Sequence, residues 1–121
     1  MNYIGIDIIE IERIQKAIDR WGESFLQRIY TDAELAAYCK QLPSLAARFA
    51  GKEAVIKALG ISVKGIGMKE IEILSDPNGK PVVQLYGKMQ SQASSLGLDN
   101  LAISLSHSKE YAVALVAGEA K

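Results

Sequence analysis

The sequence predicts an α+β fold in which helices pack on a largely antiparallel sheet. Three observations carry that expectation. Segments with helical spacing of apolar residues crowd into the first half of the chain and end at Gly60. Beyond it, short alternating segments come in pairs joined by turn signals such as Asp76-Pro77-Asn78-Gly79, the pattern of antiparallel hairpins. Finally, 121 residues of which 49% are apolar fit one domain, residues 1–121, with no room for a second. Aromatic residues make up only 7%, so the core has to be built mainly from Ile, Leu, Val and Ala.

Taken in order, Ile4 to Ile9 is short, apolar and β-branched, a buried strand interrupted by one acid, Asp7. Glu10 to Arg20 carries Ile11, Ile14 and Ile18 at helical spacing, and Gly22 follows as a stop. Phe25 to Ile29 predicts a short helical turn. Thr31 and Glu34 stand three apart ahead of Leu35, the spacing of a capping box, so a helix starts there. Pro43-Ser44 opens the next helix and Gly60 closes it. Residues 61–68 contain Lys64-Gly65-Ile66-Gly67 and read as a flexible loop. Glu70 to Leu74 alternates as a strand does, and Val82 to Tyr86 returns beside it. Lys88 to Leu96 is a weaker helix pattern, ended by Gly97. Leu101, Ile103 and Leu105 alternate with smaller residues, 107–110 turn, and Tyr111 to Ala117 pairs back.

Basic and acidic residues balance at 14 each, which argues against a nonspecific nucleic-acid binder. Cys39 is the only cysteine, so no intramolecular disulfide forms, as suits a reducing compartment. The N-terminus lacks the basic region and apolar run of a secretory signal. No stretch approaches the roughly 20 apolar residues that span a bilayer. The expected address is the cytoplasm, with neither membrane nor nucleic acid as partner. Because small domains bury a modest fraction of their surface, self-association would add burial.

Three places carry candidate chemistry. Asp7 is a carboxylate within an apolar strand, costly to bury without a partner. With Ile6 and Ile8 on one face it points to the other, where a turn cap, an ion pair and a metal ligand are all open to it. On the helix from Arg48 to Leu59, Glu53 and Lys57 share a face with Phe49 and Ile56 close by. Arg48 and Lys52 form a second charged pair, and Ala50, Ala54 and Ala58 make a strip of small residues. An exposed helix with an ordinary Glu53 to Lys57 pair is one reading. A helix wedged between a core and a ligand accounts better for charge mixed with Phe49 and Ile56. His107, the only histidine, stands beside Ser106, Ser108 and Lys109 in a turn rich in phosphate-binding donors, although a lone histidine often has a purely structural role.

Other chemistries are disfavoured. There is no G-x-S-x-G elbow, no complete dinucleotide fingerprint, no G-K-[ST] phosphate loop and no Cys/His set for zinc. What remains is hard-metal chemistry: a few carboxylates with several Lys and Arg, the inventory for handling a phosphate ester with magnesium.

Four segments in order resemble the holo-acyl-carrier-protein synthases of the 4'-phosphopantetheinyl transferase family. They are Ile4-Gly5-Ile6-Asp7 running on to Ile14; Ala47-Arg48-Phe49-Ala50-Gly51-Lys52-Glu53 running on to Gly60; Glu70 to Ile73 with Gly79-Lys80-Pro81; and Ile103-Ser104-Leu105-Ser106-His107 with Tyr111-Ala112. The likeness covers essentially the whole chain. It implies a magnesium ion held by Asp7 and Glu53 and completed by water and the coenzyme A pyrophosphate. It implies that Lys57 and His107 lie at the coenzyme, with Arg48, Lys52 and Lys64 as further candidates for its phosphates. The implied reaction is attack of a carrier-protein serine on the β-phosphorus of coenzyme A, releasing 3',5'-ADP and activating the carrier for fatty-acid biosynthesis. Lys57 would stabilise developing charge, and the general base is open between Glu53, Lys57 and a metal-coordinated water. Arg13 would meet the acidic acyl carrier protein, helped by Arg20 and Arg28 and by Phe25 as an apolar contact. A homotrimer with active sites between subunits is implied as well. Three positions depart from the family pattern: Gly51 where alanine is commoner, Ser24 where a basic residue is frequent, and Met68 where an aromatic is common. Two rival classes fit the bare residues, a magnesium-dependent nuclease using Asp7, Glu53 and Lys57, and a trimeric nucleotide-binding module without catalysis.

Overall fold

The computed structural model describes residues 1–60 and 67–121. Strand β1 (Asn2–Glu10) leads into α1 (Ile11–Trp21), α2 (Glu23–Ile29), α3 (Asp32–Tyr38) and the long α4 (Leu42–Leu59). A short 3-10 turn (Met68–Glu70) precedes β2 (Ile71–Ser75) and β3 (Pro81–Leu85), and α5 (Gly87–Ser95) separates these from β4 (Ala102–His107) and β5 (Tyr111–Glu119). Each predicted element is present within a few residues of its expected bounds. The expected loop over 61–68 falls mostly outside the described residues.

Among the described residues all strand pairs are antiparallel, in two sheets. One is three-stranded in the order β1-β5-β4, and the other is the β2-β3 hairpin. The first strand therefore pairs with the last, Asp7 standing opposite Ala114 and Ile9 opposite Ala112. The caps hold as the residues predict. Thr31 Oγ1 accepts from the Glu34 amide and Glu34 Oε1 accepts from the Thr31 amide, the reciprocal capping box. Gly60 ends α4 at φ 66°, in the left-handed region that favours glycine.

Helix α4 lies across one face of the three-stranded sheet and is covered almost all round. Leu45, Ala46, Ala50, Ala54, Val55 and Leu59 are all buried, the signature of a central helix rather than an amphipathic surface one. Opposite it, β1 and β5 contribute Ile9, Ala112, Ala114 and Val116 to the same core.

Two expectations change here. Strand β1 is not buried on both faces: Gly5 and Ile9 turn toward α4, whereas Ile4, Ile6 and Ile8 are 64%, 58% and 63% exposed. The cause is that helices cover one side of the sheet only, and side chains alternate. The uncovered face continues onto β5, where Ile6 stands opposite the exposed Leu115 and Ile8 opposite Val113. Secondly, Lys52 is completely buried. Its ammonium donates to Glu34 Oε1 at 2.7 Å, to Ile71 O at 2.6 Å and to Met68 O at 3.1 Å. All three protons are used, so Lys52 has none for a phosphate, and the expectation that it binds the coenzyme is corrected. Glu34, equally buried, also accepts from the Ile73 amide through Oε2 at 2.8 Å. The pair thus joins α3, α4 and β2. Burial pulls the Lys52 pKa down while the Glu34 carboxylate opposes that shift.

Candidate active site

A groove of about 600 Å³ runs between β1, α1 and α4. Asp7 enters from the strand, Glu53 and Phe49 from α4, and Arg13, Lys16, Arg20 and Trp21 from α1, with Phe25 of α2 also lining it. Two features of the fold bring the acids together. Alternation along β1 directs Asp7 to the same side as Gly5 and Ile9, toward α4, and α4 lies against that side.

The groove's electrostatics follow from this arrangement. Burial, the negative charge of Asp7 and the opposing charge of Lys57 act together on Glu53, and the net effect raises its carboxyl above the ordinary range. Lys57 reaches across to β1 and donates to Asp7 Oδ1 and to Ile6 O, both at 3.0 Å. The ordinary Glu53 to Lys57 helix pair is therefore not the contact that Lys57 makes; it ties α4 to the strand instead.

The donor set suits magnesium. Asp7 and Glu53 are hard oxygen donors whose mutual repulsion a divalent cation would relieve. Two carboxylates would leave positions for water and substrate oxygens, as magnesium favours; among the described residues no group of three or more His, Cys, Asp or Glu gathers.

His107 and Arg48 meet at a second, smaller hollow of about 330 Å³, lined also by Tyr38, Gln41, Ser44, Ser75 and Ser106. His107 ends β4 and is exposed. The Arg48 guanidinium is held firmly. Nε donates to Ile73 O and Nη2 to Ser75 Oγ, each at 3.1 Å, and the group stacks 3.7 Å from the Tyr38 ring centroid. Lys64 lies outside the described residues.

The carrier-facing candidates divide. Arg13 and Arg20 are exposed on α1 and line the groove, and Arg20 also stacks 4.9 Å from the Trp21 ring centroid. Arg28 is exposed on α2 but does not line the groove. Phe25 is buried, packed edge-on against Tyr30 at 6.4 Å, so it serves the core and gives the groove only part of its wall. The sequence reading passed over Lys16, Trp21, Tyr38 and Ser75. Lys16 is legible from helical spacing, since Arg13, Lys16 and Arg20 recur at three and four residues. Tyr38 and Ser75 carry no such signal, because α3 and β2 meet only in three dimensions.

Comparison with known proteins shows the family. The model of the 4'-phosphopantetheinyl transferase superfamily matches residues 3–116, and the chain belongs to that superfamily, a family of enzymes. Within it, the chain is 53% identical over 119 residues to the holo-[acyl-carrier-protein] synthase of Dehalococcoides mccartyi, covering 98% of this chain and 99% of the relative. Among solved structures it superposes on the Helicobacter pylori holo-[acyl-carrier-protein] synthase in complex with coenzyme A with a TM-score of 0.86 at 32% identity, covering 96% and 99% of the two chains. The Neisseria meningitidis holo-[acyl-carrier-protein] synthase gives 0.85 at 34% identity, covering 97% of each.

Proposed function

We propose that this chain, acting as one domain over residues 1–121, transfers the 4'-phosphopantetheine group of coenzyme A to a serine of apo acyl carrier protein. The reaction depends on Mg²⁺, releases 3',5'-ADP and activates the carrier for fatty-acid biosynthesis in the cytoplasm. The observation that carries this reading is the convergence of Asp7 and Glu53 on one groove whose outer wall is the basic face of α1.

The chemistry divides among the residues as follows. The carrier serine oxygen forms a bond to the β-phosphorus as the bond from that phosphorus to 3',5'-ADP breaks. Asp7 and Glu53 would hold Mg²⁺, which when bound would supply charge neutralisation for the pyrophosphate. Lys57 is placed by Asp7 and Ile6 to meet negative charge as it develops. The serine proton passes to Glu53, to Lys57 or to a metal-coordinated water, each of which lies within this site. Arg48 and His107 share a hollow suited to a phosphate of the coenzyme. Arg13 and Arg20 offer a local basic face to an acidic carrier, which the balanced overall charge does not oppose.

The apolar outer face of β1 and β5 supports self-association as a homotrimer with active sites between subunits. Ile4, Ile6, Ile8 and Leu115 are costly to leave in water. Sedimentation should return three times the chain mass, and Ile6→Lys should shift it toward the monomer.

The deciding experiment incubates apo carrier protein with coenzyme A and Mg²⁺ and weighs the product. A gain of one phosphopantetheine, lost in Asp7→Ala, supports transfer. No gain in mass from a folded, coenzyme-binding protein would leave a binding module, and cleavage of nucleic acid in its place would indicate a nuclease.

A further inference from the structure

We propose that Gly5 is a positioning residue for the metal pair: the absence of a side chain there sets the distance between β1, which carries Asp7, and α4, which carries Glu53. This rests on the reading of Asp7 and Glu53 as metal ligands. A Cβ built on Gly5 would lie 1.9 Å from Ala54 O, 2.8 Å from Ala58 N and 2.9 Å from Ala54 C. Ordinary contact begins at 3.4 Å. These are all backbone atoms of α4, and the oxygen and nitrogen belong to one turn of its hydrogen-bonded ladder. No rotamer change relieves such an overlap.

The location gives the overlap its consequence. Ala54 and Ala58 directly follow Glu53 and Lys57, and Gly5 is two residues from Asp7 on the same side of the strand. The strand thus touches α4 at the turn that carries both functional residues. A methyl group at position 5 must part strand and helix by an ångström or more. Whichever of them yields, Asp7 and Glu53 move relative to each other. Magnesium requires near-ideal octahedral geometry at about 2.0–2.1 Å, so a shift of that size separates two ligands that a folded chain would otherwise keep. Gly51, on the same helix, shows the contrast: its Cβ would meet the side-chain ends of Ile73, Ile103 and Leu105, which can adjust.

The test is a double-mutant cycle read by metal affinity, with Mn²⁺ titrated into the protein in saturating coenzyme A and followed by its EPR signal. Gly5→Ala should retain a cooperative melt and lose tenfold or more in Mn²⁺ affinity. Asp7→Glu, which adds about 1.5 Å of reach, should weaken Mn²⁺ binding in the unsubstituted chain but strengthen it in Gly5→Ala. That reversal of sign reports a changed distance and is not produced by lost stability. Ile103→Val, which trims a buried residue of the same sheet outside the groove, should lower the melt and leave Mn²⁺ affinity unchanged. Equal affinity in Gly5→Ala and the unsubstituted chain, or an equal loss in Ile103→Val, overturns the proposal. So does loss of the cooperative melt in Gly5→Ala, since the glycine would then serve the fold as a whole. If the unsubstituted chain takes up no Mn²⁺, the metal reading itself fails and the role of Gly5 falls with it.

Discussion

Lys52 and Glu53 are neighbours on α4, both ionisable and both turned into the protein, yet their surroundings assign them opposite roles. Lys52 is sealed against Glu34 and two carbonyl oxygens, and each of its protons has a partner. Glu53 opens on a groove, where burial and the facing acid Asp7 outweigh the opposing charge of Lys57 and leave room for a further cation. Adjacent side chains on a helix point about 100° apart, and here that angle separates the hairpin side of the molecule from the groove side. A buried charge whose partners are complete stabilises a structure; a charge left wanting a partner is available for chemistry.

The largest effect that tests this contrast comes from Glu53→Gln. Transfer should fall about a thousandfold, equivalent to about 4 kcal/mol of barrier, measured as phosphopantetheine gained by the carrier per minute. The fold should respond in the opposite sense. Because the Glu53 carboxyl is raised in the folded chain, the folded state binds the more protons between the ordinary carboxylate value and the raised one. Its contribution to stability is present below the ordinary value and lost as pH rises through the raised one. Removing the acid should therefore raise the metal-free melting temperature at neutral pH, with the gain vanishing as pH falls below the ordinary carboxylate range. A melt lowered at neutral pH would show that Glu53 supports the fold as Lys52 does.

Lys52→Met tests the other half. Removing one partner of a buried pair strands the remaining charge, a cost of about 3–5 kcal/mol, read as a shift in the denaturant midpoint. Adding Glu34→Leu should restore part of that loss. Recovery stays incomplete because Glu34 also accepts from the Thr31 and Ile73 amides. Activity per folded molecule should change far less than in Glu53→Gln.

What the sequence revealed follows the same division. Periodicity and caps located the elements, since Thr31 with Glu34 and Gly60 act on their own neighbours in the chain. The groove acids were legible as residue types, and Asp7 was correctly placed opposite Ile6 and Ile8 by alternation. Nothing local separated Lys52 from Lys57. Both are lysines on one charged helix, and only the packing of α3 and β2 against α4 consumes the first. Likewise the apolar stretch Ile4 to Ile9 says that a strand forms there, but not that its second face lacks a cover.

Arg13→Glu should have a smaller effect, confined to the outer wall of the groove. The residue is exposed, so the fold should be unchanged. Reversing its charge should raise the KM for carrier protein about tenfold, about 1.4 kcal/mol, with kcat nearly constant and the difference shrinking as salt is added. An equal fall in kcat would move Arg13 from docking into the chemistry.

The smallest effect is expected at Gly51, the residue before Lys52. Alanine in a helix interior is favoured over glycine by about 1 kcal/mol. Against that gain, its Cβ would stand 2.6 Å from Ile73 Cδ1 and 3.2 Å from Ile103 Cδ1, and overpacking costs about 1–3 kcal/mol. Both clashing atoms are the ends of flexible side chains, so the lower end of that range applies and the two terms nearly cancel. Gly51→Ala should shift stability by no more than about 1 kcal/mol, checked by denaturant melts, and leave transfer unchanged. Ile73 also carries the amide that Glu34 accepts. A loss above about 2 kcal/mol would therefore mean that the Lys52–Glu34 network fixes Ile73 in place, and that the structural side of α4 is more rigid than its side-chain contacts alone require.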